Sequence, residues 1–87
     1  MKKGKIFSKE ELTFRRKLGY NIAQKRISKN LTQEQLAELV GTDTATSTIS
    51  RWENGSNTPS AYNLAVLTKI FGCSLDDLIP TVNTINS

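Results

Sequence analysis

Few side chains in this chain of 87 residues could carry covalent chemistry. Histidine is absent and Cys73 is the single cysteine, so imidazole catalysis, an internal disulfide and a structural zinc site are excluded. Asp76 and Asp77 are adjacent acids, but they follow Ser74 in the first turn of a short predicted helix, where carboxylates interact favourably with the helix dipole. The sequence therefore predicts no enzymatic activity, no metal site and no cofactor.

The charged side chains are distributed unevenly along the chain. Residues 1–30 hold ten Lys or Arg against two Glu, a net charge of +8, whereas residues 31–87 hold two basic against six acidic side chains, a net charge of −4. A basic block favours a polyanionic partner, and a simply solvated amino-terminal segment would explain the same charge. The charge pattern alone leaves both interpretations open.

Residues 31–55, LTQEQLAELVGTDTATSTISRWENG, have the pattern of two short helices joined by a glycine-containing turn. Thr32 and Gln35 form a capping box that starts the first of these helices, and Gly41 is predicted to end it with left-handed backbone. The apolar positions of the two helices are Leu36, Ala37, Leu39, Val40, Ile49 and Trp52. Two such helices held at a steep angle present the second one to a groove.

A longer helix is predicted to precede this segment. Ser8 caps it, with Glu11 completing a second capping box, and Asn30 ends it in the left-handed conformation. Its buried stripe repeats every four residues, at Phe14, Leu18 and Ile22. The next position of the stripe is Arg26, whose guanidinium must reach solvent or a carboxylate.

Two further helices complete the predicted fold. Ser60 caps a fourth helix with Leu64, Leu67 and Phe71 facing inward, and Ser74 caps a last short one. No strand-like alternation is present, so the predicted fold class is all-α, a compact bundle of five helices. With no membrane-length apolar run and no cleavable leader, a cytoplasmic protein is expected. The predicted divisions are a flexible basic arm at residues 1–7, the helical domain at residues 8–79 and a flexible tail at residues 80–87.

With these residues in place, residues 18–79 resemble the Cro and phage-repressor type helix-turn-helix family, also called the XRE family. The resemblance implies a lambda-repressor-like bundle whose third helix reads the major groove of double-stranded DNA, usually as a homodimer. The matching motifs are LGxxI at residues 18–22, Arg26, LTQEQLAELVG, TISRWENG, the pair Pro59 and Ser60, and FGCSLDDLI.

The resemblance also implies which residues contact DNA. Gln33 would bind a phosphate and brace the third helix, with a plain exposed first-turn residue as the alternative. Arg51 falls on the outer face of the third helix, where a planar guanidinium can meet both acceptors of guanine. Asn54 would contact a phosphate or, equally well, cap the helix. The full expected DNA-binding set is Gln33, Thr44, Thr46, Ser47, Thr48, Arg51 and Asn54.

Phosphate anchoring is expected from the amino-terminal part of the chain. The loop after the third helix has Ser56 and Asn57 where relatives often carry Lys or Arg, so the cations must come from elsewhere. If the arm lies along DNA, deleting residues 1–7 should weaken the salt dependence of affinity. The expected phosphate contacts of the arm and first helix are Lys2, Lys3, Lys5, Arg15 and Arg16.

Arg26 and Glu53 are expected to act together. In relatives these positions form a partly buried ion pair that ties the first helix to the third, and the resemblance implies the same pair here. Because desolvation offsets much of the attraction between buried charges, the pair should orient the third helix more than it stabilises the fold.

The turn before the third helix is longer than the family pattern. Six residues follow Gly41 before the motif resumes, where relatives typically have four. In one geometry the helix still starts near Thr46 after a longer loop. In the other, Asp43 or Thr44 caps an extra half turn of helix, and we favour this one because Ala45 is a poor cap and a good buried helix residue.

An apolar stripe on the fourth helix comprises Tyr62, Val66 and Ile70. Extra contacts with the core of a small domain explain it as well as a homodimer interface does. A two-fold dimer would read half-sites about one helical turn apart, ~34 Å, in a symmetric operator.

The predicted function is a sequence-specific, double-stranded DNA-binding transcriptional regulator, and a repressor in particular. Two other functions would use the same fold. One is the antitoxin of a toxin–antitoxin pair, with a second protein as its partner. The other is a protein-interaction module that has lost DNA binding, which the net negative charge of residues 31–87 favours.

Overall fold

The computed structural model of the chain describes residues 7–41 and 43–82. Five helices and no strand are present among these residues, which confirms the predicted all-α, five-helix architecture. The predicted arm contacts Lys2, Lys3 and Lys5 lie outside the described residues. None of the described helices combines the length and apolar character that crossing a bilayer requires. The helices are α1 (Lys9–Ser28), α2 (Gln33–Val40), α3 (Thr46–Asn54), α4 (Ala61–Phe71) and α5 (Leu75–Leu78).

Side-chain caps start four of the five helices. Thr32 Oγ1 accepts from the Gln35 amide at 3.0 Å and Gln35 Oε1 accepts from the Thr32 amide at 2.8 Å, so the capping box of α2 is confirmed. Before α1, Ser8 Oγ accepts from the Glu11 amide at 3.0 Å, which is one half of the predicted box. The Glu11 carboxylate lies 3.7 Å from the Arg15 guanidinium instead. The other two caps, as predicted, are Ser60 and Ser74.

The last helix, α5, is fixed at both ends. Ser74 Oγ accepts from the Asp77 amide at 3.3 Å, and Asp77 Oδ2 accepts from the Ser74 amide at 3.1 Å. This backbone hydrogen bond lowers the pKa of Asp77 below its usual value, because it stabilises the charged carboxylate. At the other end, Asn21 on α1 donates to the Leu78 carbonyl at 2.8 Å. Asp77 therefore caps the amino end of α5.

Asn30 and Gly41, which were predicted to end α1 and α2 in the left-handed conformation, both have positive φ, as do Gly55 after α3 and Gly72 after α4. Asn30, with φ 59°, is left-handed after α1 and confirms the prediction. Gly41 follows α2 with φ 155° and ψ 169°, so the prediction of a left-handed stop there is wrong. That combination of angles is open essentially to glycine alone.

α3 begins later than the favoured prediction. Ala45 precedes it in an extended conformation, φ −89° and ψ 159°, and supplies no side-chain hydrogen bond. Asp43 and Thr44 do not cap an extra half turn, so that prediction is wrong, and the longer-loop alternative with a start at Thr46 is correct. The physical reason is a turn closed by the Thr44 amide, which donates to the Gly41 carbonyl at 3.1 Å and accommodates the inserted residues before the helix.

The core is a single apolar cluster contributed by all five helices. Leu39 does not belong to it, contrary to the prediction, because it lies about a quarter turn away from the buried face of α2 and its side chain is 54% exposed. Phe14 and Leu64 pack against the cluster and are partly buried. The buried members are Leu18, Ile22, Leu36, Ala37, Ile49, Trp52, Leu67, Phe71 and Leu78.

α1 and α3 approach each other closely at Gly19. A Cβ atom at this position would overlap the carbonyl oxygen of Trp52 and lie 2.5 Å from that of Glu53. Both obstacles are backbone atoms near the end of α3, so they cannot move aside as a flexible side chain would. The absence of a side chain at Gly19 therefore sets the distance between the two helices.

Candidate nucleic-acid interface

α3 carries different side chains on its two faces. Ile49 and Trp52, 0% and 3% exposed, fix the inner face in the core. On the outer face, Thr46, Ser47 and Arg51 are exposed to solvent. The helix thus presents two small hydroxyl groups and one guanidinium outward, while its inner face holds it in place.

The remaining predicted DNA contacts of this region differ in how far they are exposed to solvent. Thr44 is half-buried within the turn, and Thr48 is half-buried in the first turn of α3. Asn54 is exposed at the end of α3, where its Oδ1 accepts from the Ser56 amide at 2.9 Å. This bond engages the oxygen of the Asn54 side-chain amide, whose nitrogen is a further hydrogen-bond donor.

A hydrogen-bonded ion pair links α1, α2 and α3. Arg26 Nε donates to Glu53 Oε2 at 2.6 Å and Arg26 Nη2 donates to Glu53 Oε1 at 3.1 Å, the two-point geometry that a guanidinium and a carboxylate favour. Gln33 Nε2 donates to the same Oε1 at 2.9 Å, and Arg26 Nη1 donates to the Leu31 carbonyl at 2.7 Å. The structure thus brings together three residues that the sequence analysis singled out.

Arg15 is placed differently from the expected phosphate contact. Its Nε donates to the Gly55 carbonyl at 3.1 Å and its Nη2 to the Ser56 carbonyl at 2.9 Å, so it caps the carboxyl end of α3. The guanidinium carbon lies 4.2 Å from the centre of the Phe7 ring, and the side chain is only 11% exposed. Arg15 therefore holds α3, whereas its neighbour Arg16 is exposed to solvent.

Two residues at this surface, and the role of Gly19 beneath it, were not predicted from the sequence. Tyr20 and Ser50 line an open depression between α1 and α3 together with Arg16. Helical spacing could have indicated them, since Tyr20 follows Arg16 by four residues and Ser50 precedes Asn54 by four. Gly19 belongs to the LGxxI motif, but the sequence did not indicate its role, because its partners are backbone atoms more than thirty positions away in sequence.

The predicted apolar stripe on α4 is only partly exposed. Tyr62 is 74% exposed and Val66 is half-buried. Ile70 is also half-buried and packs against the core. The stripe therefore contributes to the core at one end and offers apolar surface at the other.

Groups that could bind a metal or react as nucleophiles are few in the part of the chain that the structure describes. No three His, Cys, Asp or Glu side chains there come close enough together to hold a metal ion. Cys73 is half-buried against the core, and this burial raises the pKa of its thiol. The thiol is therefore protonated, and the residue acts as a small apolar side chain.

Comparison with known proteins agrees with this geometry. A helix-turn-helix family model matches residues 22–78. The HTH-type transcriptional activator BcrR of Enterococcus faecalis is 44% identical over 59 residues, which are 67% of this chain and 28% of that protein. The chain thus spans little more than a quarter of the length of this relative.

Solved structures share the same arrangement of helices. The P22 c2 repressor, in complex with a synthetic operator, is 31% identical, with a TM-score of 0.65 over 71% of this chain and 91% of that one. The clp gene regulator ClgR of C. glutamicum is 28% identical, with a TM-score of 0.66 over 75% and 82%. The DNA-binding domain of BldD, 19% identical with a TM-score of 0.70 over 79% and 97%, shares the fold.

Proposed function

The chain belongs to the helix-turn-helix family of DNA-binding transcription regulators, and on that premise we propose that it recognises a specific operator by placing α3 in the major groove. The observation that carries the proposal is the division of α3 between a buried inner face and an outer face of Thr46, Ser47 and Arg51. The major groove is about 12 Å wide and admits one helix. The proposed function involves no catalysis and no cofactor, and it takes place in the cytoplasm.

Within this arrangement, base edges and phosphates are contacted by different residues. Arg51 has the reach and the planar fork to donate to both major-groove acceptors of guanine, and Thr46, Ser47 and Thr48 supply short hydroxyl contacts. Thr44 borders this surface from the preceding turn. Phosphate contacts are assigned to Gln33, at the amino end of α2, and to the side-chain amide of Asn54.

We propose that the chain acts as a repressor and as a homodimer. The P22 relative is called a repressor and BcrR an activator. We favour repression because it requires only that the bound protein exclude polymerase from the DNA. The exposed Tyr62 and the neighbouring Val66 supply apolar surface for a second copy of the chain. A two-fold pair would place its α3 helices in successive turns of the groove, ~34 Å apart.

Selection from a randomised duplex pool at two salt concentrations tests the function and the role of Arg51 together. The chain is expected to enrich two-fold symmetric sequences that contain a guanine in each half-site. The Arg51→Ala variant should bind the enriched duplex more weakly by about 1–3 kcal/mol per half-site, because the two-point contact with guanine is lost. It should also accept any base at that one position.

The matched control is Lys69→Ala, which removes an exposed cation from α4 and should leave both affinity and sequence preference unchanged. Equal binding of all sequences by the unmodified chain would contradict the proposed function. Enrichment of sequences without two-fold symmetry would contradict the homodimer.

The basic arm is proposed to supply the phosphate contacts that the loop after α3 lacks. Phe7, at the root of the arm, stacks on Arg15, whose guanidinium binds the carbonyls of Gly55 and Ser56 in that loop. Replacing Lys2, Lys3 and Lys5 together with glutamine keeps this root intact. The slope of log affinity against log salt should become shallower by about 0.9 for each phosphate contact removed. Titration at four salt concentrations measures the slope, and an unchanged slope would show that the arm does not touch DNA.

A further inference from the structure

Arg51, which is proposed to read guanine, lies one turn before the end of α3, and its backbone is bonded to the loop that follows. The Arg51 carbonyl accepts from the Asn57 amide at 3.2 Å. Between them Gly55, with φ 84°, reverses the chain in the left-handed conformation, and its amide donates to the Trp52 carbonyl at 3.3 Å. The position of the loop at residues 55–57 therefore bears on the last turn of α3, from which Arg51 projects.

The Arg15 side chain holds this loop from α1. Its two hydrogen bonds to the Gly55 and Ser56 carbonyls come from a charged donor, and charged donors form stronger hydrogen bonds than neutral ones. The cation also lies at the negative end of the α3 dipole. The loop packs against the backbone of α1 at the same place, since a Cβ atom on Gly55 would lie 3.4 Å from the Arg16 amide nitrogen. We call Arg15 and the two carbonyls the α3 clamp.

Two other side chains fix the direction of the guanidinium in the α3 clamp. Arg15 Nη1 lies 3.7 Å from the Glu11 carboxylate, and the Phe7 ring covers one face, with 4.2 Å between its centre and the guanidinium carbon. All three guanidinium nitrogens and one face thus have partners. A lysine ammonium at this position would keep the charge but lose the planar fork and the stacked face.

Phe7 is the point at which the basic arm meets the α3 clamp. It lies immediately before Ser8, the cap of α1, and follows the lysines of the arm by two to five positions. Two events fix the chain here: the stack on Arg15 fixes the Phe7 ring, and phosphate contacts of the arm would fix the backbone on its amino side. Because fixing a residue removes conformational entropy, either event lowers the entropy that the other has to remove.

We propose that Phe7 and the α3 clamp couple the basic arm to α3, so that the arm increases the preference of Arg51 for guanine as well as the affinity for DNA. The inference rests on the proposed function and makes Phe7 and Arg15 positioning residues, which act on the bases only through Arg51. Coupling between two sites is reciprocal, so a firmly closed clamp also favours the phosphate contacts of the arm. Uncoupled phosphate contacts would raise the affinity for every sequence equally, since phosphates carry no base identity.

The test measures the specificity ratio, which is the affinity for the enriched duplex divided by that for a duplex in which the guanine read by Arg51 is replaced by adenine. Selection with Arg51→Ala identifies that guanine. The arm variant, with Lys2, Lys3 and Lys5 all replaced by glutamine, should lower the ratio about fivefold, the lower end of the usual coupling between two sites. Its affinity for both duplexes should fall as well.

Two variants interrupt the coupling without changing the net charge. Phe7→Leu keeps an apolar side chain but removes the ring, and Arg15→Lys keeps the cation but removes the fork. Each should lower the specificity ratio about fivefold. When the arm variant is combined with either of them, the ratio should fall no further, whereas independent effects would multiply to about 25-fold.

The matched control for charge is Lys9→Gln with Lys17→Gln, which removes two exposed cations of α1 that lie outside the α3 clamp. Its specificity ratio should equal that of the unmodified chain, whatever its affinity. Thermal melting checks that each variant is folded under the conditions of the assay. Hydrogen exchange gives a second readout. At saturating duplex, the Asn57 amide, which is bonded to the Arg51 carbonyl, should exchange about fivefold more slowly in the unmodified chain than in the arm variant.

Each outcome supports or overturns one claim. An arm variant that loses affinity for both duplexes by the same factor would overturn the coupling and leave the proposed function standing. A combined Phe7→Leu and arm variant whose ratio falls about 25-fold would show that the arm acts by another route, and would overturn the role of the clamp. If Phe7→Leu does not fold, the combination with Arg15→Lys and the exchange of the Asn57 amide decide the same point. If the unmodified chain enriches no sequence, the proposed function fails and the coupling fails with it.

Discussion

Gly19→Ala should destabilise the domain by about 3 kcal/mol, the upper end of the cost of overpacking. The added methyl group would collide with the carbonyl oxygens of Trp52 and Glu53, and the backbone of α3 would have to move away from α1 to admit it. Helix propensity alone predicts that Gly19→Ala stabilises the domain, since alanine is more favourable than glycine by about 1 kcal/mol inside a helix. Urea denaturation followed by circular dichroism measures the difference.

The control for Gly19 is a matched pair at Gln24, an exposed position of the same helix. Gln24→Ala should be more stable than Gln24→Gly by about 1 kcal/mol, which measures the propensity term with no packing conflict. A Gly19→Ala variant as stable as the unmodified chain would mean that α1 and α3 can separate without cost. In that case the position of α3 would not depend on this contact.

Arg26→Ala should cost about 3 kcal/mol, because it leaves the Glu53 carboxylate without its charged partner in a partly buried position. The side chains of Arg26 and Glu53 are 14% and 9% exposed, so water cannot replace the two lost hydrogen bonds freely. The Leu31 carbonyl loses its donor as well. Thermal melting by circular dichroism measures the effect, and an unchanged melting curve would contradict it.

A second variant separates stability from orientation. In the double variant Arg26→Met, Glu53→Met, no charge is left unpaired, so most of the lost stability should return. Affinity for the enriched duplex should stay low, because Gln33 no longer has its partner on α3 and one of the contacts by which α1 orients α3 is lost. Recovery of both stability and affinity would show that the ion pair does not orient the helix.

Local features of the fold were predictable from the sequence because they depend on neighbouring residues. The cap at Thr32 and the stop at Asn30 each involve groups within a few positions of one another. The buried positions of α1 followed from helical spacing. The wrong prediction for Leu39 shows the limit of that rule, because the apolar character of a residue does not tell which side of α2 the other helices cover.

Features that depend on the exact geometry of a turn or on distant contacts could not be predicted in this way. The start of α3 is set by the turn between Gly41 and Thr44, and Ala45 precedes the helix although its side chain cannot cap it. Arg15 and Arg16 are neighbours of the same type, yet only the first reaches the end of α3. Which of two adjacent arginines remains exposed depends on the angle between α1 and α3, which the sequence does not state.

The attachment of α3 has a consequence for engineering and for evolutionary change. Three residues of α1 hold α3. Gly19 contacts the backbone of α3, Arg26 binds Glu53 on its inner side, and Arg15 binds its carboxyl end. Thr46 and Arg51 take part in none of them. Substitutions at such exposed positions usually change stability by no more than about 0.5 kcal/mol. Under the proposed function, changes to these outer residues would exchange one operator for another while the contacts that hold α3 stay the same.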